Sequence, residues 1–242
     1  MRSGDRNNWS IGGNIMLGCY DYTVIATYIS VLSALSGIFF CVAGKPDAAV
    51  YCLITSGLLD MLDGPIARSK KDRTAVQKAF GIQIDSLSDF MAFGVLPAGI
   101  LFSTWSNDCG LEGWRLPVAA GASAFIALTA LIRLAYFNVV EEIRQKESQG
   151  KRRTEFEGMP VTTMALILPA VYMFKFLLEP LQGGLTAYIL TAVIVISGFL
   201  FISRIRFGKP GGRGMIIMGV IGAFELAFIL FGESIITGVM SR

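Results

Sequence analysis

The stretch from Asp60 to Asp89 reads DMLDGPIARSKKDRTAVQKAFGIQIDSLSD, and it decides how the rest of the chain is interpreted. It places four aspartates, at positions 60, 63, 85 and 89, at the ends of two long apolar segments. Acidic side chains near the apolar interior of a membrane cost free energy and usually mark a function. These four acids are therefore the first candidates for the chemistry of this chain.

The rest of the chain has the composition of an integral membrane protein. Of its 242 residues, 53% are hydrophobic and only 16% are charged. Several apolar runs reach the roughly 18 residues that a membrane-spanning helix needs. The first of these runs is long enough to span and follows about 20 mixed residues, so the N-terminus is predicted to be retained rather than cleaved as a signal.

The order of the apolar runs predicts an all-α, polytopic membrane protein with six core transmembrane helices and one extra C-terminal helix. The predicted spans are residues 22–43, 48–66, 82–102, 116–139, 160–178, 186–205 and 215–240. Residues 1–19 are predicted to form a cytoplasmic tail or an interfacial helix. Residues 20–206 are predicted to form the core, and residues 207–242 the extra helix.

The basic residues set the predicted orientation. Of the 21 Lys and Arg residues, 16 lie in the N-terminal tail and in the connections after the second, fourth and sixth spans. Connections rich in Lys and Arg stay in the cytoplasm. We therefore expect a multi-pass protein of the cell membrane whose N-terminus and four motif aspartates are cytoplasmic, with no nucleic-acid partner.

The spacing of the aspartates predicts an acidic stripe on each of two helices. Asp63 follows Asp60 by three residues, and Asp85 and Asp89 follow Gly81 at intervals of four, so each set shares one helix face. If the two stripes face one another, the carboxylates repel unless a cation lies between them. The chain has no histidine and no paired cysteine spacing, and all-oxygen ligation favours Mg²⁺, Mn²⁺ or Ca²⁺.

Divalent ions held by carboxylates commonly bind substrate phosphates, so the motif favours phosphoryl chemistry. Gly64 and Gly81 would let a nucleotide approach the backbone, and Arg68 would meet phosphate charge. Pro65 predicts a break or kink just after Asp63. An alternative of a different class is a cation transporter, which expects acids spread through the membrane depth, whereas these lie at one end.

The pattern D-x2-D-G-x2-A-R followed by G-x3-D-x3-D resembles the signature of the CDP-alcohol phosphotransferases. The resemblance implies six core helices, usually in a dimer, and a cytoplasm-facing cavity at the ends of helices two and three. It implies attack of an alcohol on the β-phosphorus of a CDP-linked lipid, with release of CMP. By the same match, two divalent ions would bind to the motif acids, with one of these acids, Asp89, also serving as the base. Those ligands are Asp60, Asp63, Asp85 and Asp89, and the CDP site would comprise Asp63, Gly64, Ala67, Arg68 and Gly81.

Three further stretches are similar to the phosphatidylserine synthases of this family, and they imply CDP-diacylglycerol and L-serine as substrates. They are GIQIDSLSDFMAFGVLPA at residues 81–98, RLAYFN at 133–138 and EGMP at 157–160. Arg133 is the first candidate to bind the serine carboxylate, because a guanidinium suits bidentate carboxylate binding. Asn138 and Glu157 are second candidates for the acceptor site.

The sequence also leaves alternatives within the family. Glycerol 3-phosphate or an inositol phosphate could be the acceptor, and an archaeal ether lipid could be the donor. The chain departs from the pattern in two places. Twelve residues separate Arg68 from Gly81, where eight are most often found, and one extra helix follows the core where the serine-using members often have two. The longer connection is expected to add about one helical turn to the loop between spans two and three.

Overall fold

The computed structural model describes residues 18, 20–147, 155–175, 184–208, 214 and 217–228. These residues form seven helices and one small sheet, which we number in chain order. The helices are α1 (Tyr22–Val42), α2 (Pro46–Ser69), α3 (Ala75–Asp108), α4 (Arg115–Glu147), α5 (Val161–Met173), α6 (Leu185–Ile202) and α7 (Ile217–Phe228). The strands are β1 (Glu155–Glu157) and β2 (Arg206–Gly208).

The predicted all-helical, multi-pass architecture is confirmed. Five helices, α1, α2, α3, α4 and α6, are long and apolar enough to cross a membrane. The described parts of helices α5 and α7 are apolar and shorter than the other five helices. The ends predicted for those two spans, and the N-terminal tail or interfacial helix predicted at residues 1–19, lie almost entirely outside the described residues.

Helix α3 differs from the prediction at its start. It begins at Ala75 rather than near Ile82, because Thr74 and Gln77 form a reciprocal capping box: the Thr74 hydroxyl accepts from the Gln77 backbone N–H, and the Gln77 side chain accepts from the Thr74 N–H. The loop expected to gain a helical turn is consequently only residues 70–74. The additional residues extend the helix instead.

Helices α1 and α2 form a tight hairpin. The hydroxyl of Ser56 donates to the Ser30 carbonyl oxygen at 3.2 Å, and the Ser33 hydroxyl donates to the Cys52 carbonyl oxygen at 3.0 Å. A Cβ on Gly37 would lie 2.9 Å from the Cys52 Cβ, so the two backbones approach closely. Small residues and interhelical hydrogen bonds drive such packing because lipid is as apolar as the helix surface itself.

The small antiparallel sheet was not predicted from the sequence. Glu155 pairs with Gly208, Phe156 with Phe207 and Glu157 with Arg206, which joins the segment before α5 to the end of α6. Gly158 follows β1 with φ +75°, and its N–H donates to the Ile205 carbonyl oxygen at 2.8 Å. Three residues per strand are too few to give an alternating pattern that can be recognised in the sequence.

Asp21 connects the start of α1 to the connection after α2. Its carboxylate caps α1 by accepting from the Thr23 N–H at 2.9 Å, and it accepts from the Lys70 ammonium at 2.8 Å. The hydrogen bond from Lys70 is the main reason that the pKa of Asp21 falls from 3.8 to about 2, and Thr23 contributes further. This cap and ion pair hold α1 against the end of α2 that carries the motif.

The lowered pKa of Asp21 predicts a pH-dependent contribution to stability. The contribution is present above pH 4 and is lost as the pH falls from about 4 to about 2. Asp21→Asn should lower the unfolding free energy in detergent by about 1 kcal/mol at pH 7, and Asp21→Ala by more, because the alanine also removes the cap.

Thermal unfolding followed between pH 7 and pH 3 measures both variants. Asp47→Asn is the matched control, since Asp47 also pairs with a lysine, Lys175, but is 59% exposed. An equal loss of stability in the Asp21 and Asp47 variants would contradict this account.

Candidate functional site

The structure brings the two acidic stripes together where the C-terminal half of α2 lies beside the N-terminal half of α3. Asp60 lies on α2, and Asp85 and Asp89 lie on α3. One carboxylate oxygen from each of these three residues lies within 4.8 Å of the other two, and all three side chains are half-buried. The condition for a shared cation site, that the two stripes face one another, is met by these three acids.

Asp63 lies beside this group rather than within it. Its carboxyl group contacts that of Asp85, and it also lies near Asp60. The four aspartates thus form a continuous acidic cluster in which Asp63 contacts Asp85 and Asp60 contacts Asp89. Of the break or kink predicted just after Asp63, the break does not occur, because α2 continues as a helix through Pro65 to Ser69. A proline in a helix removes one backbone hydrogen bond, and here the helix continues for one further turn without it.

The chemistry of this cluster fits a hard divalent cation. Every candidate ligand atom is a carboxylate oxygen, and Mg²⁺, Mn²⁺ and Ca²⁺ prefer oxygen ligands. Without a cation, ionised carboxylates at these separations repel one another strongly in a partly desolvated site. A cation bound between α2 and α3 would therefore stabilise the arrangement that the helices already adopt.

The residues expected to contact a nucleotide lie immediately outside the cluster. Gly64, Ala67 and Arg68 occupy the last turns of α2, and Gly81 lies one turn before Asp85 on α3. The exposed Arg68 side chain returns to Gly64, where a Cβ would lie 3.5 Å from the guanidinium nitrogens. These positions form one surface at the end of the two helices.

In the sequence, Arg73 is only one of several basic residues in the connection between the second and third spans. In the structure its guanidinium Nη2 lies 2.5 Å from the position that a Cβ on Gly81 would occupy. Nη2 donates to the Gln77 carbonyl oxygen at 3.1 Å, and Nη1 donates to the Ala67 carbonyl oxygen at 3.5 Å. The spacing within one helix could not reveal this contact, because residue 73 lies in the loop that joins the two helices.

Two contacts fix the depth of the acceptor candidates relative to the acids. Asn138 and Ser86 exchange side-chain hydrogen bonds at 2.8 and 3.1 Å, and a Cβ on Gly94 would lie 3.1 Å from the Ala130 Cβ. Eight residues separate the two contacts on both α3 and α4, so the antiparallel helices keep a constant register. Arg133 is thereby placed level with residue 91, about 3 Å along the helix axis from Asp89.

The three candidates for the acceptor site, Arg133, Asn138 and Glu157, have different surroundings. Asn138 lies against Ser86, the residue after Asp85. Arg133 is 8% exposed and its Nη2 donates to the Gly158 carbonyl oxygen at 3.4 Å. Glu157 lies in β1, paired with Arg206 through the backbone, and its side chain lies outside the described part of the chain.

A small apolar cavity adjoins the cluster at Asp60. Asp60 lines it together with residues of α2, α5 and α7, including Gly57, Thr162, Met218 and Gly222. The backbones come close here, since a Cβ on Gly57 would lie 2.5 Å from the Ala165 Cβ. The acid cluster is therefore bordered by α4 at Ser86 and by residues of α5 and α7 at Asp60.

Comparison with known proteins agrees with this geometry. The sequence profile of the CDP-alcohol phosphatidyltransferase family matches residues 23–203, which include both acidic stripes and the register between α3 and α4. The chain belongs to the CDP-alcohol phosphatidyltransferase family. The signature noted in the sequence therefore lies within a match that covers most of the described helices.

Relatives within the CDP-alcohol phosphatidyltransferase family carry two related names. CDP-diacylglycerol--serine O-phosphatidyltransferase of Saccharomyces cerevisiae is 33% identical over 62% of this chain and 54% of its own length. The protein of that name from Helicobacter pylori (strain ATCC 700392 / 26695) is 28% identical over 78% of this chain and 72% of its own length. The archaetidylserine synthase of Methanothermobacter thermautotrophicus is 31% identical over 80% and 73%. The chain thus spans about half the length of the yeast relative.

The cluster predicts a specific response to Mn²⁺. In Asp85→Asn, one charge leaves the group, so the protein without added metal should unfold at a higher temperature than wild type, because less repulsion remains. The same change should weaken Mn²⁺ binding by at least about tenfold and reduce the stabilisation that Mn²⁺ gives.

Thermal unfolding and Mn²⁺ titration in detergent measure these two effects. Asp72→Asn removes an exposed carboxylate from the neighbouring connection and should change neither quantity. Unchanged Mn²⁺ affinity in Asp85→Asn would remove Asp85 from the set of metal ligands.

Proposed function

We propose that this chain transfers the phosphatidyl group of CDP-diacylglycerol to the hydroxyl of L-serine, giving phosphatidylserine and CMP. The observation that carries the proposal is the acid cluster of α2 and α3 within the family match. The relatives support serine as the acceptor, since both the phosphatidyltransferases and the archaetidylserine synthase are named for serine.

In the proposed reaction, the serine hydroxyl oxygen forms a bond to the lipid-bearing β-phosphorus. The bond between that phosphorus and the bridging oxygen of the diphosphate breaks, and CMP leaves with the electron pair. The hydroxyl proton passes to a base. Because a phosphoanhydride bond breaks and a phosphoester bond forms, with no change of oxidation state, the reaction needs no oxidant, reductant or additional energy source.

Two divalent ions, Mg²⁺ or Mn²⁺ or else Ca²⁺, are proposed to be held by Asp60, Asp63, Asp85 and Asp89. When bound, such ions neutralise diphosphate charge and orient the diphosphate for in-line displacement. The aspartates themselves fix where the diphosphate can bind, because they come from two helices whose packing sets their separation. Asp63 and its helix neighbours Gly64, Ala67 and Arg68, with Gly81 across the site, are proposed to receive the CDP portion.

Asp89 is proposed as the base that accepts the proton of serine. It is the motif acid on α3 that lies closest to the level of Arg133, the candidate for holding serine. A base must be within hydrogen-bond reach of the proton that it accepts. The placement of Asp89 between the diphosphate ligands and the acceptor side is consistent with that role.

Asp89→Asn should abolish turnover while leaving CMP binding largely intact, because loss of a base affects the transition state more than the bound ground state. Steady-state CMP release and equilibrium CMP binding measure the two quantities, with Asp72→Asn as the control. A parallel loss of CMP binding and turnover would instead make Asp89 chiefly a metal ligand.

Arg133 is proposed to bind the serine carboxylate, with Asn138 and Glu157 supporting the acceptor site. Arg133 is buried on α4 at nearly the depth of Asp89. A charge-assisted guanidinium–carboxylate pair in such a site gives both affinity and orientation. The Gly158 carbonyl oxygen, which accepts a hydrogen bond from Arg133, would hold the guanidinium in place when no serine is bound.

Arg133→Met should raise KM for L-serine about 10- to 100-fold and change KM for CDP-diacylglycerol little, as expected for loss of one charged hydrogen-bonded partner. Arg115→Met, the same substitution at the opposite end of α4, is the matched control and should leave both constants unchanged. Equal increases in both KM values for Arg133→Met would exclude the proposed carboxylate contact.

The orientation and assembly of the protein are also proposals. The distribution of Lys and Arg supports a cytoplasmic site in the cell membrane, and the family resemblance supports a homodimer. Labelling of a cysteine introduced at Asp72, from one side of sealed vesicles, tests the orientation. The mass of the detergent-solubilised protein, corrected for bound detergent, tests the dimer.

An archaeal ether-lipid donor is a second candidate, because the archaetidylserine synthase matches 80% of this chain. The acceptor remains serine in both cases. Glycerol 3-phosphate and inositol phosphate are acceptors that the same mechanism could use. Membership of the family favours all of these transferases over a cation transporter.

One assay tests the proposed function. Purified protein with Mg²⁺ or Mn²⁺ receives CDP-diacylglycerol or its ether-lipid analogue, together with L-serine, glycerol 3-phosphate or an inositol phosphate. We expect CMP and phosphatidylserine from the first donor with L-serine. CMP with another acceptor alone would reject serine, and the absence of CMP with every combination would reject the transferase.

A further inference from the structure

Arg73 bridges α2 and α3 just outside the acid cluster. Its guanidinium donates to the Ala67 carbonyl oxygen on α2 and to the Gln77 carbonyl oxygen on α3, and it covers Gly81. Ala67 lies one turn beyond Asp63, and Gly81 lies one turn before Asp85. The guanidinium is therefore displaced by about 6 Å along the helix axes from the acids.

The described part of the protein uses only some of the N–H donors of the Arg73 guanidinium. Arginine presents five N–H donors, and the two contacts that hold Arg73 are to neutral backbone carbonyl oxygens. Its Nε is buried and has no hydrogen-bond partner among the described residues. In the described part of the chain, Nη1 and Nη2 each make one backbone contact, so each has a second N–H that can bind an anionic acceptor from outside the chain.

The start of α3 does not depend on Arg73. The capping box of Thr74 and Gln77 already satisfies backbone donors at that end of the helix. Lys71, in the same connection, points into solvent with an exposed side chain, whereas Arg73 is half-buried over Gly81. The two basic residues are thus distinguished by position, and only Arg73 reaches the surface between the helices.

We propose that Arg73 is an additional donor-binding residue, whose guanidinium contacts the phosphate that leaves with CMP. This inference rests on the proposed function, because it takes the nucleotide to lie over Gly81. Arg73 lies on the side of the acids away from Arg133, so it contacts the leaving portion of the donor and not serine. Its planar fork can bind phosphate oxygens while Gly81, lacking a Cβ, leaves room for the guanidinium.

The test measures CMP binding in the presence of Mn²⁺ together with KM for both substrates. Arg73→Gln should raise the Kd of CMP and the KM of CDP-diacylglycerol about 10- to 100-fold and leave the KM of L-serine unchanged. Arg73→Lys should fall between wild type and Arg73→Gln, because an ammonium keeps the charge without the fork. Lys71→Ala controls for loss of a charge in the same connection and should leave all three constants unchanged.

A second variant tests whether the guanidinium acts from its position over Gly81. Gly81→Ala places a Cβ 2.5 Å from Nη2, so it should displace the guanidinium and weaken CMP binding. If the loss acts through Arg73, Gly81→Ala should weaken CMP binding less in the Arg73→Gln background than in wild type. Fully additive losses would overturn the proposed contact between the guanidinium and CMP.

The outcomes separate this inference from the proposed function. Wild-type protein that releases CMP, with Arg73→Gln that binds CMP normally but unfolds at a lower temperature, would make Arg73 only a clamp of the connection and overturn the inference alone. Wild-type protein that neither binds CMP nor releases it would overturn both. If CMP is released only with an acceptor other than L-serine, serine is rejected as the substrate. CMP binding by Arg73→Gln then still decides whether Arg73 contacts the donor.

Discussion

Repulsion among the carboxylates at the ends of α2 and α3 is the constraint on which the rest of the structure depends. Three ligand oxygens lie within 4.8 Å of one another, and Asp63 lies against this group. The free energy that holds the two helices in this arrangement must come from elsewhere, because the acids themselves oppose it. Close packing over the length of the bundle supplies it. The Ser30–Ser56 hydrogen bonds and the approach of Gly57 to Ala165 are examples.

The helices around the acids are held in a register that gives the site two sides. The contacts of Ser86 with Asn138 and of Gly94 with Ala130 set the depth of α4 against α3. Arg133 is thereby brought close to the level of Asp89, and the Gly158 carbonyl oxygen accepts its hydrogen bond. At the other side, Arg73 covers Gly81. Cations at both sides of an acid cluster suit the proposed reaction, in which a carboxylate-bearing acceptor attacks the phosphorus on one side and an anionic leaving group departs on the other.

The features that were missed have two different causes: one is a polar first turn outside the apolar pattern, and the other is a long-range pairing of strands. Apolar length predicts the helices because each span must satisfy its own backbone hydrogen bonds. The start of α3 was placed near Ile82 rather than Ala75, because the apolar pattern does not include the polar first turns that the Thr74–Gln77 capping box stabilises. The β1–β2 sheet pairs segments almost fifty residues apart, and no local pattern predicts it.

The sequence by itself determined that Asp60 and Asp63 share one helix face and that Asp85 and Asp89 share another, because helical spacing fixes neighbours within a helix. It also determined the family, since the two halves of the acid motif lie within the stretch that matches the family profile. Only the tertiary structure decided that the two faces meet, that three acids form the tightest group, and that Arg73 lies over Gly81. These arrangements depend on the packing angle and register between helices and on the path of a loop, and neither is specified by the spacing of residues along one helix.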